Sequence, residues 1–412
     1  MPFKELQLIK PLLKAITEQN YDAPTPVQEQ TIPLVLAKKD VITTAQTGTG
    51  KTAAFALPIL QMLFDKQDSG KKGKKIRALI VSPTRELALQ IHESFKVYGK
   101  YTNLRTAVVY GGTSIEPQKD VLTKGVDILV ATPGRLLDLH KQDFINLDYI
   151  ETLVLDEADL MLDMGFIDDV RKIERLCPTE KQILLFSATM PMKVVMLANT
   201  ILKEAETVNA TPSSSAAQNV SQLLFYVHKQ HKMELCLHLL RNTIEGNILI
   251  FRRTKLGIAK LEKMIKGNGY KVDSIHGDKT QNDRENALEN FKDGKINILI
   301  ATDVAARGID IDNLDAVINF DIPNVSETYV HRIGRTGRAG NSGNAYSFCS
   351  ADEKPYIKGI QQLINTVIPV EENHPYVLDP KAKREIHKTP GKSKNKPGRK
   401  SEASKKNKKR WY

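Results

Sequence analysis

Val41-Ile42-Thr43-Thr44-Ala45-Gln46-Thr47-Gly48-Thr49-Gly50-Lys51-Thr52 runs from a β-branched apolar stretch, through a glycine-rich turn, into a stretch that reads as helix. Strand, glycines and helix in that order predict a cradle for phosphate. Glycines let backbone N–H groups close on phosphate oxygens, and a helix N-terminus favours negative charge. The cradle assigns Ala45, Gln46, Thr47, Gly48, Thr49 and Gly50 to nucleotide binding, with Lys51 reaching the β- and γ-phosphates. The Thr52 hydroxyl becomes a ligand for magnesium. Ala45 stands where the general pattern has glycine.

Outward from this stretch the chain alternates short apolar runs with amphipathic ones. Ala78-Leu79-Ile80-Val81, Ala107-Val108-Val109-Tyr110, Ile128-Leu129-Val130-Ala131, Leu153-Val154-Leu155 and Ile183-Leu184-Leu185-Phe186 are apolar on both faces. Strands buried on both sides of a sheet must be. Helical stretches between several of them, such as residues 85–98, imply a parallel sheet with right-handed crossovers. The theme restarts with Ile248-Leu249-Ile250-Phe251, Val272-Asp273-Ser274-Ile275, Ile298-Leu299-Ile300-Ala301 and Ala316-Val317-Ile318-Asn319. Thr211-Pro212-Ser213-Ser214-Ser215-Ala216-Ala217 between them has linker composition. The expectation is an α/β chain of two domains, residues 1–209 and 220–370, with a flexible linker at 210–219 and a disordered tail at 371–412.

Leu153-Val154-Leu155-Asp156-Glu157-Ala158-Asp159 places carboxylates at the end of a buried strand. Asp156 is placed to hold magnesium and Glu157 to orient and activate an attacking water. Two acids after a strand also suit a helix N-cap; a phosphate cradle roughly a hundred residues upstream favours the catalytic reading.

Composition narrows the rest. The run nearest to a membrane span falls short of the roughly 18 apolar residues required, and Met1-Pro2-Phe3-Lys4 opens without an apolar leader. Cys177, Cys236 and Cys349 lie far apart and form no C-x-x-C pair. That argues against a disulfide framework or zinc module and for a reducing cytoplasm. The net charge is +12, and residues 381–412 hold fourteen basic and two acidic residues, which accounts for all of it. The body is therefore neutral, so a nucleic-acid site on it must come from local arrangement.

Asp156-Glu157-Ala158-Asp159 spells the signature of the DEAD-box ATP-dependent RNA helicases of helicase superfamily 2, and the chain resembles the bacterial-type short form with a basic tail. The likeness runs from Phe3 to about Ser350, with motifs in the family's order. Phe3, and Gln28 within Pro24-Thr25-Pro26-Val27-Gln28, look like the adenine-reading element. Pro83-Thr84-Arg85-Glu86-Leu87, Gly111-Gly112 and Thr132-Pro133-Gly134-Arg135 resemble the RNA-backbone motifs of the first domain. Ser187-Ala188-Thr189 resembles the coupling motif. Gln281 and Arg284, residues 301–310 and residues 331–338 match the second domain.

The resemblance implies two tandem RecA-like domains, ATP and Mg2+ as cofactors, and an RNA-dependent ATPase. Phosphate and sugar contacts through Pro83, Thr84, Arg85, Gly112, Thr132, Pro133, Gly134, Arg135, Thr302 and Asp303 would position RNA without reading bases. Arg335 and Arg338 would reach across to the ATP phosphates, worth a factor of about 10³–10⁵ in rate. Gly308 and Asp310 would join the nucleotide site, Asp310 at the ribose. His331 would interact with Asp159 and with Ser187-Ala188-Thr189, linking nucleotide state to RNA grip. Gln28 carries donor and acceptor for an adenine edge. Phe3 either stacks on the base or staples the first helix. The implied activity is local, non-processive RNA unwinding or ribonucleoprotein remodelling by a monomer. The alternative is an ATP-dependent RNA clamp with little unwinding. Ribosomal or RNA-decay ribonucleoproteins are the expected partners.

Two departures stand out. Asn20 replaces the usual glycine before Tyr21, and asparagine tolerates a left-handed helix end. Phe251-Arg252-Arg253-Thr254 is more basic than the family pattern, so its arginines either add phosphate contacts or face solvent. The Lys-rich tail reads as a sequence-independent tether to RNA or as a solubilising extension.

Overall fold

A computed structural model describes residues 2–46, 48–65, 75–210, 220–306, 311, 314–337 and 343–378. In the first half the apolar runs become strands because each is buried on both faces. They are β1 (Val41–Thr44), β2 (Ala78–Val81), β3 (Thr106–Val109), β4 (Ile128–Ala131), β5 (Thr152–Leu155), β6 (Gln182–Ser187) and β7 (Glu206–Asn209). All pairings are parallel, in the order β3-β4-β2-β5-β6-β1-β7. Helices α1 (Lys10–Glu18), α2 (Pro26–Leu36), α3 (Lys51–Asp65), α4 (Arg85–Tyr98), α5 (Glu116–Thr123), α6 (Pro133–Lys141), α7 (Ala158–Asp163), α8 (Ile167–Leu176) and α9 (Met192–Ile201) cover both faces. The cradle helix α3 is buried along most of its length, and the Phe55 ring lies 5.1 Å from that of Phe186 on β6.

The second half holds β8 (Val220–Tyr226), β9 (Ile248–Phe251), β10 (Val272–Ile275), β11 (Ile298–Ala301), β12 (Ala316–Asn319) and β13 (Gly343–Cys349). They form a parallel sheet in the order β10-β11-β9-β12-β13-β8. Helices α10 (Lys232–Asn242), α11 (Lys255–Gly267), α12 (Gln281–Lys292), α13 (Asp303–Ala306), α14 (Ser326–Ile333) and α15 (Lys354–Ile364) flank it. Each half is thus a doubly wound RecA-like sheet, and such sheets bind ligands beyond the carboxyl ends of their strands. The cradle follows β1, the Asp156-Glu157 pair follows β5, and other motif loops follow β2, β3, β4, β6 and, in the second half, β9, β10 and β11, while His331 lies near the end of α14.

The second half runs further than residue 370. Residues 369–378 lie along the free edge of β8. Leu224 N donates to Pro369 O at 2.8 Å, Glu371 N to Leu224 O at 2.9 Å and Leu378 N to Tyr226 O at 2.9 Å. The expected tail boundary at 371 is corrected by this strap: low-hydropathy residues stay ordered because the open sheet edge offers them hydrogen bonds. The linker from residue 211 and the tail from residue 379 lie outside the described residues. Among the described residues no helix is long and apolar enough to cross a membrane.

Candidate functional site

The cradle turns where its glycines allow. Gly48 and Gly50 have φ of 82° and 92°, and a Cβ on Gly50 would meet the Gln28 amide nitrogen at 2.3 Å. Thr49 Oγ1 donates to Gln46 O at 2.7 Å, closing the turn. Ala45 N donates to Ser187 O at 3.1 Å, which ties the cradle to the neighbouring strand end. Lys51 opens α3 and is buried. Its Nζ donates to Glu157 Oε1 at 2.6 Å.

Asp156 and Glu157 are 2 % and 6 % exposed, so two carboxylates share one dry corner with one lysine. Burial is the largest influence on Asp156 and pushes its carboxyl up to about 7, against the pull of Lys51. Burial works against the Lys51 charge too, yet the Glu157 and Asp156 carboxylates prevail and hold its pKa above the ordinary value. Glu157 sits at φ 54°, ψ 54°, the left-handed region, at the N-cap of α7. Thr52 and Asp156 supply hydroxyl and carboxylate oxygens, the donor types that magnesium takes.

Asp159 is bonded to the loop that follows β6. Its backbone N donates to Ser187 Oγ at 3.2 Å, and its Oδ2 accepts from Thr189 N at 3.0 Å and Thr189 Oγ1 at 2.8 Å. Ser187 Oγ in turn donates to Thr189 O at 2.6 Å. These bonds join the loop after β5 to the loop after β6. His331 lies in the second half, around a small cavity it shares with Asp303, Arg332 and Arg335. Arg335 is 5 % exposed. Thr47, Gly308, Asp310 and Arg338 lie outside the described residues.

Between the halves lies a cavity of about 910 Å³. Thr84, Arg85, Thr132 and Arg135 line it from the first half, and Arg253 and Thr302 from the second. Pro83 and Gly134 line it as well. Thr84 caps α4, its Oγ1 accepting from Leu87 N at 3.3 Å. Pro133 starts α6 at a position that needs no N–H donor. Gly112, at φ 77°, is needed for close approach: a Cβ there would lie 2.0 Å from the Arg85 guanidinium. Arg135 NH2 donates to Thr113 O at 2.9 Å, and its NH1 is buried with no hydrogen-bond partner. The halves also touch directly. Arg85 NH1 donates to Gln281 Oε1 at 3.1 Å, and Arg284 NH2 lies 2.8 Å from Glu86 Oε1.

Two expectations are corrected. Asp303 gives both oxygens to Arg332, which is 2 % exposed: Nε donates at 2.6 Å and NH2 at 2.8 Å. A carboxylate so occupied positions the loop; facing a phosphodiester it would repel. Phe3 is 5 % exposed, sits in the core under α1 and α3, and offers no face to a base. The exposed ring is Tyr21, whose centroid lies 6.3 Å from that of Phe3, with the rings near parallel. Gln28 is 3 % exposed; its Oε1 accepts from Thr25 N at 3.0 Å and its Nε2 donates to Gly50 O at 3.2 Å. Its amide is therefore joined to the cradle itself.

Sequence reading missed Tyr21, Glu86 and Glu353. Tyr21 had a signal in Asn20, which takes the left-handed φ of 57° and so turns the next residue out of the helix. Glu86 and Glu353 had none, because their partners lie far away in the chain.

Comparison with known proteins bears on both halves. A family model described as DEAD/DEAH box helicase matches residues 25–197, and one described as helicase conserved C-terminal domain matches residues 231–340. The chain is 44 % identical over 363 residues to an ATP-dependent RNA helicase CshA of Limosilactobacillus reuteri, covering 88 % of this chain and 72 % of that protein. A structure of Mss116p bound to single-stranded RNA and AMP-PNP superposes with a TM-score of 0.82 at 31 % identity, over 90 % of this chain and 78 % of that one. A DEAD box protein from the hyperthermophile Methanococcus jannaschii is 39 % identical over 90 % of this chain and 99 % of its own, yet its TM-score is 0.51.

Proposed function

The chain belongs to the DEAD-box family of ATP-dependent RNA helicases, and from that premise we propose that each closure of its two halves on ATP and RNA melts only a few base steps. The observation that carries the reading is the cavity lined from both halves by Thr84, Arg85, Thr132, Arg135, Arg253 and Thr302, beside the Glu86–Arg284 and Arg85–Gln281 contacts. Residues 2–210 and 220–378 act as the two domains. Lys51 and Glu157 stand in the first and Arg335 in the second, so neither holds a whole site.

Lys51 now neutralises Glu157. ATP binding transfers Lys51 to the phosphates and frees Glu157 to orient the attacking water. Thr52 and Asp156 would hold magnesium, which would neutralise phosphate charge when bound. Arg335, with Arg338, approaches the phosphates from the second domain. The Asp159–Thr189 link carries the change to the loops that hold RNA. Tyr21 stacks on the base, Phe3 supports its ring, and Gln28 reports on the cradle through Gly50.

RNA lies in the cavity, gripped by its backbone. A ligand-driven bias of about 5.5 kcal/mol moves a two-state population from about 1 % to 99 %. With a base step worth about 1.4 kcal/mol, one closure melts about four steps. The chain acts as a monomer on RNA and ribonucleoproteins in the reducing cytoplasm, where its three buried cysteines stay as thiols. The test is single-turnover unwinding across a duplex-length series, with ATP hydrolysis measured alongside. Unwinding is expected to fall off steeply as the duplex grows beyond the few steps that one closure opens. Full opening of hundreds of base pairs by one bound molecule would refute it. Hydrolysis without opening of even the shortest duplex would mark the chain as a clamp.

A further inference from the structure

We propose that Arg253 binds a phosphate of the RNA strand in the cleft and that the buried Lys232–Glu353 pair holds it there; the inference rests on the RNA cleft proposed above. Arg253 follows β9 and lines the cavity, with its side chain 48 % exposed. Its backbone N donates to Asp321 Oδ2 at 2.9 Å. Its NH2 donates to Ile322 O at 2.7 Å and to Glu353 Oε1 at 3.4 Å. Those two bonds use the hydrogens of NH2. Of the five guanidinium donors, the three on Nε and NH1 remain for a ligand.

Glu353 is saturated from the other side. Lys232 Nζ donates to its Oε2 at 2.6 Å, Ser350 Oγ at 2.7 Å and Ser350 N at 3.0 Å, while Ile322 N donates to Oε1 at 3.1 Å. Lys232 is 2 % exposed and also donates to Phe320 O at 2.8 Å. Lys232 therefore neutralises Glu353, so the acid aims Arg253 without cancelling its charge. The cluster sets Lys232, Arg252 and Arg253 against Asp321 and Glu353, one positive charge in excess. The outer pair Lys229 and Asp352 cancels. Lys232, Arg252, Asp321 and Glu353 are all less than 20 % exposed, so the surplus emerges at Arg253.

Arg252 does the opposite. Its guanidinium packs 4.3 Å from the Phe320 ring centroid and is largely buried. The two neighbouring arginines thus divide the alternatives: one faces the cleft and one belongs to the interior.

Binding of a fluorescent oligouridine of about ten nucleotides to the full chain, with a non-hydrolysable ATP analogue, tests this across a salt series. Arg253→Ala is expected to weaken binding roughly fivefold and to reduce the slope of log affinity against log salt by about 0.7, one phosphate on a single strand. Arg253→Lys keeps most of the slope, because it keeps the charge. Arg252→Ala leaves the slope unchanged. Glu353→Gln weakens binding in the parent but adds nothing in the Arg253→Ala background. Equal affinity and slope for Arg253→Ala and the parent would overturn the inference alone. A parent that does not bind the oligonucleotide would overturn the cleft reading together with it.

Discussion

Glu157 holds a left-handed backbone conformation, φ 54°, that costs a residue with a side chain roughly 1–2 kcal/mol. The bend lets Asp156 and Glu157, adjacent in the chain, both stay within the field of Lys51. Glu157→Gln keeps the shape and removes the base, so ATP turnover is expected to fall by at least about 100-fold. RNA and nucleotide should still bind, and pull-down of RNA with the variant in ATP checks both. Gly112→Ala adds a Cβ where the Arg85 guanidinium lies and strains a φ of 77°. It should raise the KM for RNA while leaving the KM for ATP unchanged, as steady-state ATPase assays will show. Burial pushes Cys177, Cys236 and Cys349 up to about 12, so the native chain should resist maleimide until unfolded. The cradle and the acid pair were legible in the sequence because their spacing is local. Asp303 was misread and Phe3 left between two roles, because a partner 29 residues away decides the one and burial the other.

Thr84, Thr254 and Thr280 each accept a backbone N–H at the start of α4, α11 and α12. Loss of such a cap typically costs about 1 kcal/mol. Thr84 also lines the cleft. Thr84→Ser should therefore keep the melting temperature within a degree or two, whereas Thr84→Ala lowers both stability and RNA affinity. Calorimetry and a binding titration separate the two effects. Strands buried on both faces were legible as apolar runs. β7 was not, because only Val208 of Glu206–Asn209 is buried. β13 begins Gly343-Asn344, residues that usually mark turns, and the sheet overrides that preference.

At the scale of the whole molecule, the neutral body places its charges by folding. Glu86 and Arg284 are 198 residues apart and meet with side chains 11 % and 15 % exposed. Reversing one charge, Glu86→Arg, should lower RNA-stimulated ATPase roughly tenfold, and Glu86→Arg with Arg284→Glu should recover much of it. Failure of the swap to recover activity would separate the contact from closure. The order of motifs made two halves legible, but contacts across the cleft depend on distances that no local pattern encodes. The strap over β8 has a practical consequence. It occupies amide and carbonyl groups of Leu224 and the carbonyl of Tyr226, groups that would otherwise face outward. A chain trimmed at residue 367 would leave a bare ribbon of unpaired peptide, ready to zip onto its twin. Such a trimmed protein should turn cloudy on concentration long before its ATPase fails.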